Sequence, residues 1–170
     1  MNKIEFFKIL FNTHYEKVYR TTYLIIQNEF IARDATQEAF IIAYKQLDNL
    51  KDLDNMYSWL TVVASNQAKN TIKKNANCIP IADINELENK LAYSPNVIEQ
   101  KNKEIDLTKA LNTIKVKYRE VLVFKYYLDL SDQEIADMLE LPLGTIKSRI
   151  SRAKMILKDI LESQNESGVV

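Results

Sequence analysis

Residues Leu141 to Lys154 read LPLGTIKSRISRAK, and the charges around this stretch are sorted by sign. Lys147, Arg149, Arg152, Lys154 and Lys158 follow one another with no acid between Thr145 and Lys158. Asp129, Asp132, Glu134, Asp137 and Glu140 precede them with no base. A helix that only faces water intersperses the two signs, because residues three and four apart then attract one another. Sorted charge fits a pair of adjacent helices of which one meets a polyanion.

The residues just upstream supply the first helix of that pair. SDQE, from Ser131 to Glu134, spells a capping box: Ser131 can accept from the Glu134 amide while the Glu134 carboxylate reaches back to the Ser131 amide. Ile135, Ala136 and Leu139 then face inward, and Pro142 stops the short helix, since it cannot donate and restricts the residue before it. A second helix is predicted from Leu143 to about Glu162, with Ile146, Ile150, Ala153 and Leu157 on one face. A short helix, a turn and a longer helix make a helix-turn-helix. Ala136 is small where the two would cross closely, and Ile135, Leu139, Leu141, Ile146 and Ile150 would form their shared core. Glu140 falls where a glycine would take positive φ more cheaply, by about 1 kcal/mol.

Lys147, Ser148, Ser151 and Arg152 share an exposed face of the second helix, flanked by Arg149 and Lys154. Arg and Lys donate to guanine O6 and N7 or to phosphate, and Ser fits base edges or backbone. A basic amphipathic helix alone is more often a solvated surface. The capping box, Ala136, the Pro142 turn and the basic face together favour a helix that enters a major groove.

The rest of the chain bounds this reading. At 46% hydrophobic and 27% charged, its 170 residues make a globular chain of one domain or two small ones. Two glycines and three prolines leave too few turns for a sandwich or barrel, so the chain should be mostly helical. Apolar runs such as TTYLIIQ are too short to cross a bilayer, and MNKIEFFKIL mixes acid and base as a signal peptide does not. Cys78 is alone, which excludes an internal disulfide and suits a reducing cytosol. A net charge of zero argues against adhesion to DNA by the whole molecule but not by a local patch. His14 is isolated, and no Cys/His cluster, Gly-rich phosphate loop or triad is present. No metal, no cofactor and no enzymatic activity are expected.

Apolar residues at helical spacing recur through the first half. Phe6, Phe7, Leu10 and Phe11, then Val18, Tyr19, Tyr23 and Ile26, then Ala35, Ala39, Phe40, Ala43 and Tyr44 form successive stripes ending near Leu47. After the polar loop LDNLKDLDN, a fourth helix is predicted from an N-cap at Ser58 to about Lys74. From Asn75 to about Asn102 the chain holds Pro80, Pro95 and several Asn without an apolar face, and reads as a linker with one weak helical turn near Glu86 to Leu91. The pattern resumes with Leu107, Ala110, Leu111 and Ile114, then with Val121, Leu122, Phe124, Lys125 and Tyr127 on a largely buried helix. The predicted fold is all-α, two small helical domains (1–75 and 105–165) joined by a flexible linker (76–104), with a tail at 166–170. The second domain is the helix-turn-helix.

YREVLVFKYYLDLSDQEIADMLELPLGTIKSRISRAKMIL resembles the fourth conserved region of the extracytoplasmic-function (ECF) sigma factors of bacterial RNA polymerase, most specifically in GTIKSRISRAK. ARDATQEAFIIAYKQL and YSWLTVVASNQAKNTIKK independently resemble the second region, and the two matches stand in the family's order. The resemblance implies a protein that binds core polymerase, recognises −35 and −10 promoter elements and directs initiation. On it, Asp34, Gln37 and Glu38 would face the clamp of the beta-prime subunit, and the second domain would meet the beta flap. Asn66 would contact a flipped base of the −10 strand while Lys69, Lys73 and Lys74 meet its phosphates. Lys147, Ser148, Ser151 and Arg152 would read the −35 duplex, with Arg149 and Lys154 on its backbone. Trp59 reads as core rather than as a stacking platform.

The family also implies an anti-sigma factor wedged between the domains, and a cytoplasmic protein that such a factor can hold at the membrane without membrane insertion of its own. Leu50 departs from the pattern where many members carry an aromatic, and Thr61, Val62 and Ser65 replace residues often aromatic or basic. The alternative is a dimeric helix-turn-helix regulator independent of polymerase.

Overall fold

A computed structural model describes residues 2–47, 55–77 and 109–167, with the backbone alone at 76, 77 and 164–167. The described residues form helices joined by short turns, without strands among them. Of the predicted linker (76–104) only residues 76 and 77 are described, and they end a helix that outruns its predicted close near Lys74. The weak turn and Leu50 lie outside the described residues.

Helix α1 (Lys3–Ile26) begins at Asn2, whose side chain accepts from the Ile4 amide while Glu5 reaches back to the Asn2 amide. Two predicted stripes therefore lie on one continuous helix. The polar NTHYEK between them holds no Gly or Pro, so nothing interrupts the backbone. Gln27 closes α1 in the left-handed region at φ 59°, and Asn28 caps α2 (Glu29–Gln46) by accepting from the Ile31 amide. Helix α3 (Met56–Asn77) starts two residues before the expected cap, so Ser58 is a buried first-turn residue and not the N-cap.

The three helices pack on one another around Leu10, Val18, Ala39, Phe40, Ala43, Met56, Leu60 and Ala64. Phe11 stacks on Tyr15 with centroids 4.6 Å apart, and Phe7 meets the edge of Tyr44 at 5.0 Å. Trp59 packs half-buried against this core, as the sequence predicts. His14 lies parallel to the Tyr57 ring, and burial together with Lys17 lowers its pKa.

In the second half, residues 109–113 form a helical turn that leads into α4 (Val116–Leu122). Helix α4 runs on into a π-helical segment, Val123–Tyr127, in which the Leu128 amide donates to the Val123 carbonyl. A π turn inserts one residue and rotates the side chains beyond it. Phe124 therefore stays buried, while Lys125 and Tyr127, expected on the buried helix, turn outward. Lys125 there pairs with Asp132 at 2.9 Å.

Helix α5 (Asp132–Leu139) carries the predicted capping box. The Ser131 amide donates to Glu134 Oε2 at 2.8 Å and the Glu134 amide to Ser131 Oγ at 3.2 Å. Hydrogen bonding of its carboxylate by the Ser131 side chain and the Ser131 amide holds the Glu134 pKa below its ordinary value. Ser131→Ala is expected to cost about 1 kcal/mol, read as a lower midpoint in denaturant with an unchanged slope. Glu140 ends α5 at φ 53°, the left-handed geometry its position requires, and the Leu141 amide returns to the Ala136 carbonyl. Helix α6 (Leu143–Ser167) starts on the Pro142 carbonyl and outruns its predicted end near Glu162, because the first breaker downstream is Gly168. Ile135, Ala136, Ile146, Ile150 and Ala153 are buried between α5 and α6, with Leu139 and Leu141 packed against them.

One apolar cluster joins the halves. It contains Ile25, Ile26, Val62, Ala68 and Ile72 from the first half and Leu111, Val116, Val121, Phe124 and Ile146 from the second.

Candidate nucleic-acid interface

Helix α6 presents its predicted face to solvent. Lys147, Ser148, Ser151, Arg152 and Lys154 are exposed, and the apolar residues between them are what turn that face outward. Ser148 Oγ donates to the Thr145 carbonyl at 3.0 Å. Lys154 Nζ lies 5.3 Å from the Tyr126 ring centroid, a cation–π contact that steers the ammonium to one side of the helix. Arg149 departs from the group: it is half-buried and faces the first half of the chain.

A second surface runs along α3. Asn66, Lys69 and Lys73 recur at three- and four-residue spacing and so share one face. With Asn70 they form one wall of a cleft of about 530 Å³ whose other wall includes Val116, Lys117, Glu120, Leu141 and Arg149. Lys74 is exposed and does not line that cleft. Sequence reasoning missed Glu120, which lies across the cleft from α3. Its Oε1 accepts from Ser65 Oγ at 2.6 Å and sits 2.6 Å from Lys69 Nζ. The Glu120 side chain is 2% exposed and that of Lys69 25%. Beside it, the buried Arg119 guanidinium has no hydrogen-bond partner on Nε or Nη1, and burial lowers its pKa to about 10.

A third surface lies away from this cleft. Asp34, Gln37 and Glu38 are exposed on one face of α2, and Ile41, 46% exposed, continues the face one turn on. Gln67 and Thr71 of α3 complete a shallow groove of about 340 Å³. Acid, amide and bare isoleucine in one groove suit a cationic, amphipathic helix.

Among the described residues no group of His, Cys, Asp and Glu could hold a metal, and no helix is long and apolar enough to cross a membrane.

The arrangement has known relatives. The family model for Sigma-70 region 2 matches residues 10–78 and that for Sigma-70 region 4 matches residues 104–157. The chain is 35% identical over 155 residues to the ECF RNA polymerase sigma factor SigW of Bacillus subtilis, covering 84% of this chain and 82% of that one. This chain belongs to the ECF sigma factors. A second relative of the sigma factor is the ECF RNA polymerase sigma-E factor of Escherichia coli, 28% identical over 131 residues, 71% of this chain and 69% of the relative. The fold of the sigma factor is also that of RpoE, solved with the anti-sigma factor NepR from Bartonella quintana. There the TM-score is 0.71 at 21% identity, covering 92% of this chain and 96% of that one.

Proposed function

We propose that this ECF sigma factor binds core RNA polymerase through α2 and delivers it to promoters whose −10 strand meets α3 and whose −35 duplex meets α6. The observation that carries the reading is the pairing, in one chain, of an exposed groove at Asp34, Gln37 and Glu38 with an exposed cationic helix face at Lys147 and Arg152. A regulator that ignored polymerase would need the second and have no use for the first. Residues 1–75 and 105–165 are the two functional domains, with 76–104 between them.

In the −10 domain, Asn66 takes an unstacked base while Lys69, Lys73 and Lys74 neutralise phosphates. In the −35 domain, Lys147, Ser148, Ser151 and Arg152 address base edges, with Arg149 and Lys154 on the backbone. The second domain also meets the beta flap. An anti-sigma factor is the regulator this reading implies, because RpoE of Bartonella quintana is solved with one. The protein acts in the cytoplasm, where polymerase is, and an anti-sigma factor can hold it at the membrane.

The test is transcription in vitro with purified core polymerase and a genomic template library. Discrete new start sites that appear only when the chain is added are expected, and an unchanged transcript profile would sink the proposal. A backbone role for Lys154 carries its own expectation. Lys154→Ala weakens binding to every duplex alike and lowers the slope of log affinity against log salt by about one, measured by anisotropy titrations over a salt series. An effect confined to one sequence would remove Lys154 from the backbone contacts.

A further inference from the structure

Lys69, Lys125 and Lys158 are each held by an acid, by Glu120 at 2.6 Å, Asp132 at 2.9 Å and Glu162 at 3.6 Å. Lys154 is held differently. Its ammonium lies 5.3 Å from the Tyr126 ring centroid, and among the described residues no carboxylate pairs with it. The difference matters for a cation that must meet a phosphate. An acid cancels the charge and has to be displaced before a phosphate can take its place. A ring face attracts the ammonium through its quadrupole and carries no net charge. It therefore orients Lys154 while leaving the full charge and the N–H donors for a second partner.

The fold presents the ring and the lysine together. Helix α4 packs on α6, and the π-helical segment that continues α4 carries Tyr126 at the surface, 58% exposed. Tyr126 belongs to neither apolar cluster, so core packing does not account for its place. On α6, Lys147, Ser151 and Lys154 recur at four- and three-residue spacing, which sets Lys154 at the end of the stripe that carries the basic face. We infer that Tyr126 is a positioning residue for the −35 duplex, its ring fixing the Lys154 ammonium at the edge of that face, ready for a phosphate. The inference rests on the function proposed above. An unheld lysine loses side-chain freedom when a phosphate immobilises it, and that loss is subtracted from affinity. Tyr126 removes part of the freedom before DNA arrives, so less is lost on binding. The ring thus raises affinity for every duplex alike and reads no base.

Holoenzyme reconstituted from core polymerase and the full chain tests this, by anisotropy over a salt series on two labelled duplexes. One carries a promoter recovered from the genomic template library, and the other is the same duplex with its −35 half scrambled. Tyr126→Ala should weaken both by the same factor, about two- to tenfold. Lys154 keeps its charge in that variant, so the lines of log affinity against log salt should shift in parallel. Lys154→Ala should instead lower their slope by about one. Tyr126→Phe keeps the ring face and should retain the affinity. In a Lys154→Ala background, Tyr126→Ala should cost nothing further, because the ring then has no ammonium to hold.

An equal loss from Tyr126→Ala with and without Lys154 would overturn the inference while leaving the sigma function intact. So would a Tyr126→Phe form as weak as Tyr126→Ala, which would give the role to the hydroxyl, or a loss confined to one duplex. Unchanged affinity of Tyr126→Ala on both duplexes would overturn it as well. Poorer assembly with core polymerase, with duplex affinity of the assembled holoenzyme unchanged, would make Tyr126 a polymerase contact instead. If unaltered holoenzyme bound the two duplexes equally, −35 recognition itself would fail, and the inference with it.

Discussion

Arg152→Ala lowers affinity for the −35 duplex by about 1–3 kcal/mol, roughly 5- to 150-fold, and flattens base preference at the position it reads. Arg152 is exposed on α6, one turn beyond Ser148, and among the described residues no intramolecular hydrogen bond or ion pair engages it. Its guanidinium is thus available as a fork of donors, and removing it breaks nothing inside the protein. The thermal midpoint should therefore be unchanged, which separates this variant from any that acts by unfolding. Anisotropy with two labelled duplexes, one carrying the promoter element and one scrambled, gives the answer. A loss on the promoter duplex several times larger than on the scrambled one supports base reading. Equal losses would move Arg152 to the backbone contacts, alongside Lys154.

The residues behind this prediction are legible in the sequence because their signals are local. The capping box needs only Ser131 and Glu134, three apart, and both of its hydrogen bonds form. Pro142 and the left-handed Glu140 fix the turn from two positions, and the spacing of Ile146, Ile150 and Ala153 fixes which face of α6 is left for solvent. The misreadings arise where local rules compete. The polar NTHYEK looks like a gap between helices, yet lacks a breaker, so α1 runs through it. An unbroken α-helical register points Lys125 and Tyr127 inward, and the π turn shifts that register by a residue.

Other features leave no local trace at all. Glu120 pairs with Ser65 across 55 residues of sequence, and in YREVL it reads as one more solvated acid. Only packing of the halves brings it to Lys69. The burial of Arg149's neighbourhood is invisible for the same reason, since its position on α6 predicts a flank of the basic face and the first half of the chain supplies the cleft.

Ile146→Ala has the largest expected effect, a loss of about 2–5 kcal/mol in stability. Ile146 is 0% exposed and packs in the cluster that includes Phe124, Ile135, Ala136 and Ile150. Truncation removes three carbons, worth about 2.4 kcal/mol at ~0.8 kcal/mol each, and leaves a cavity that Ala136, already small, cannot fill. Domains of this size are stable by only about 5–15 kcal/mol, so much of the margin is gone. Helix α6 is held against α5 by that face, and Lys147 adjoins Ile146 directly, so loosening the core also unfixes the basic face. Duplex binding should then fall with temperature in step with the loss of helical circular dichroism, and Ile146→Val should show the same coupling at about 0.5–1.5 kcal/mol. In Arg152→Ala the binding loss would persist at every temperature below an unchanged midpoint. An Ile146→Ala protein with a normal midpoint would mean that the packing between α5 and α6 does not hold the DNA-facing helix in place, and the reading of that face as a rigid groove probe would go with it.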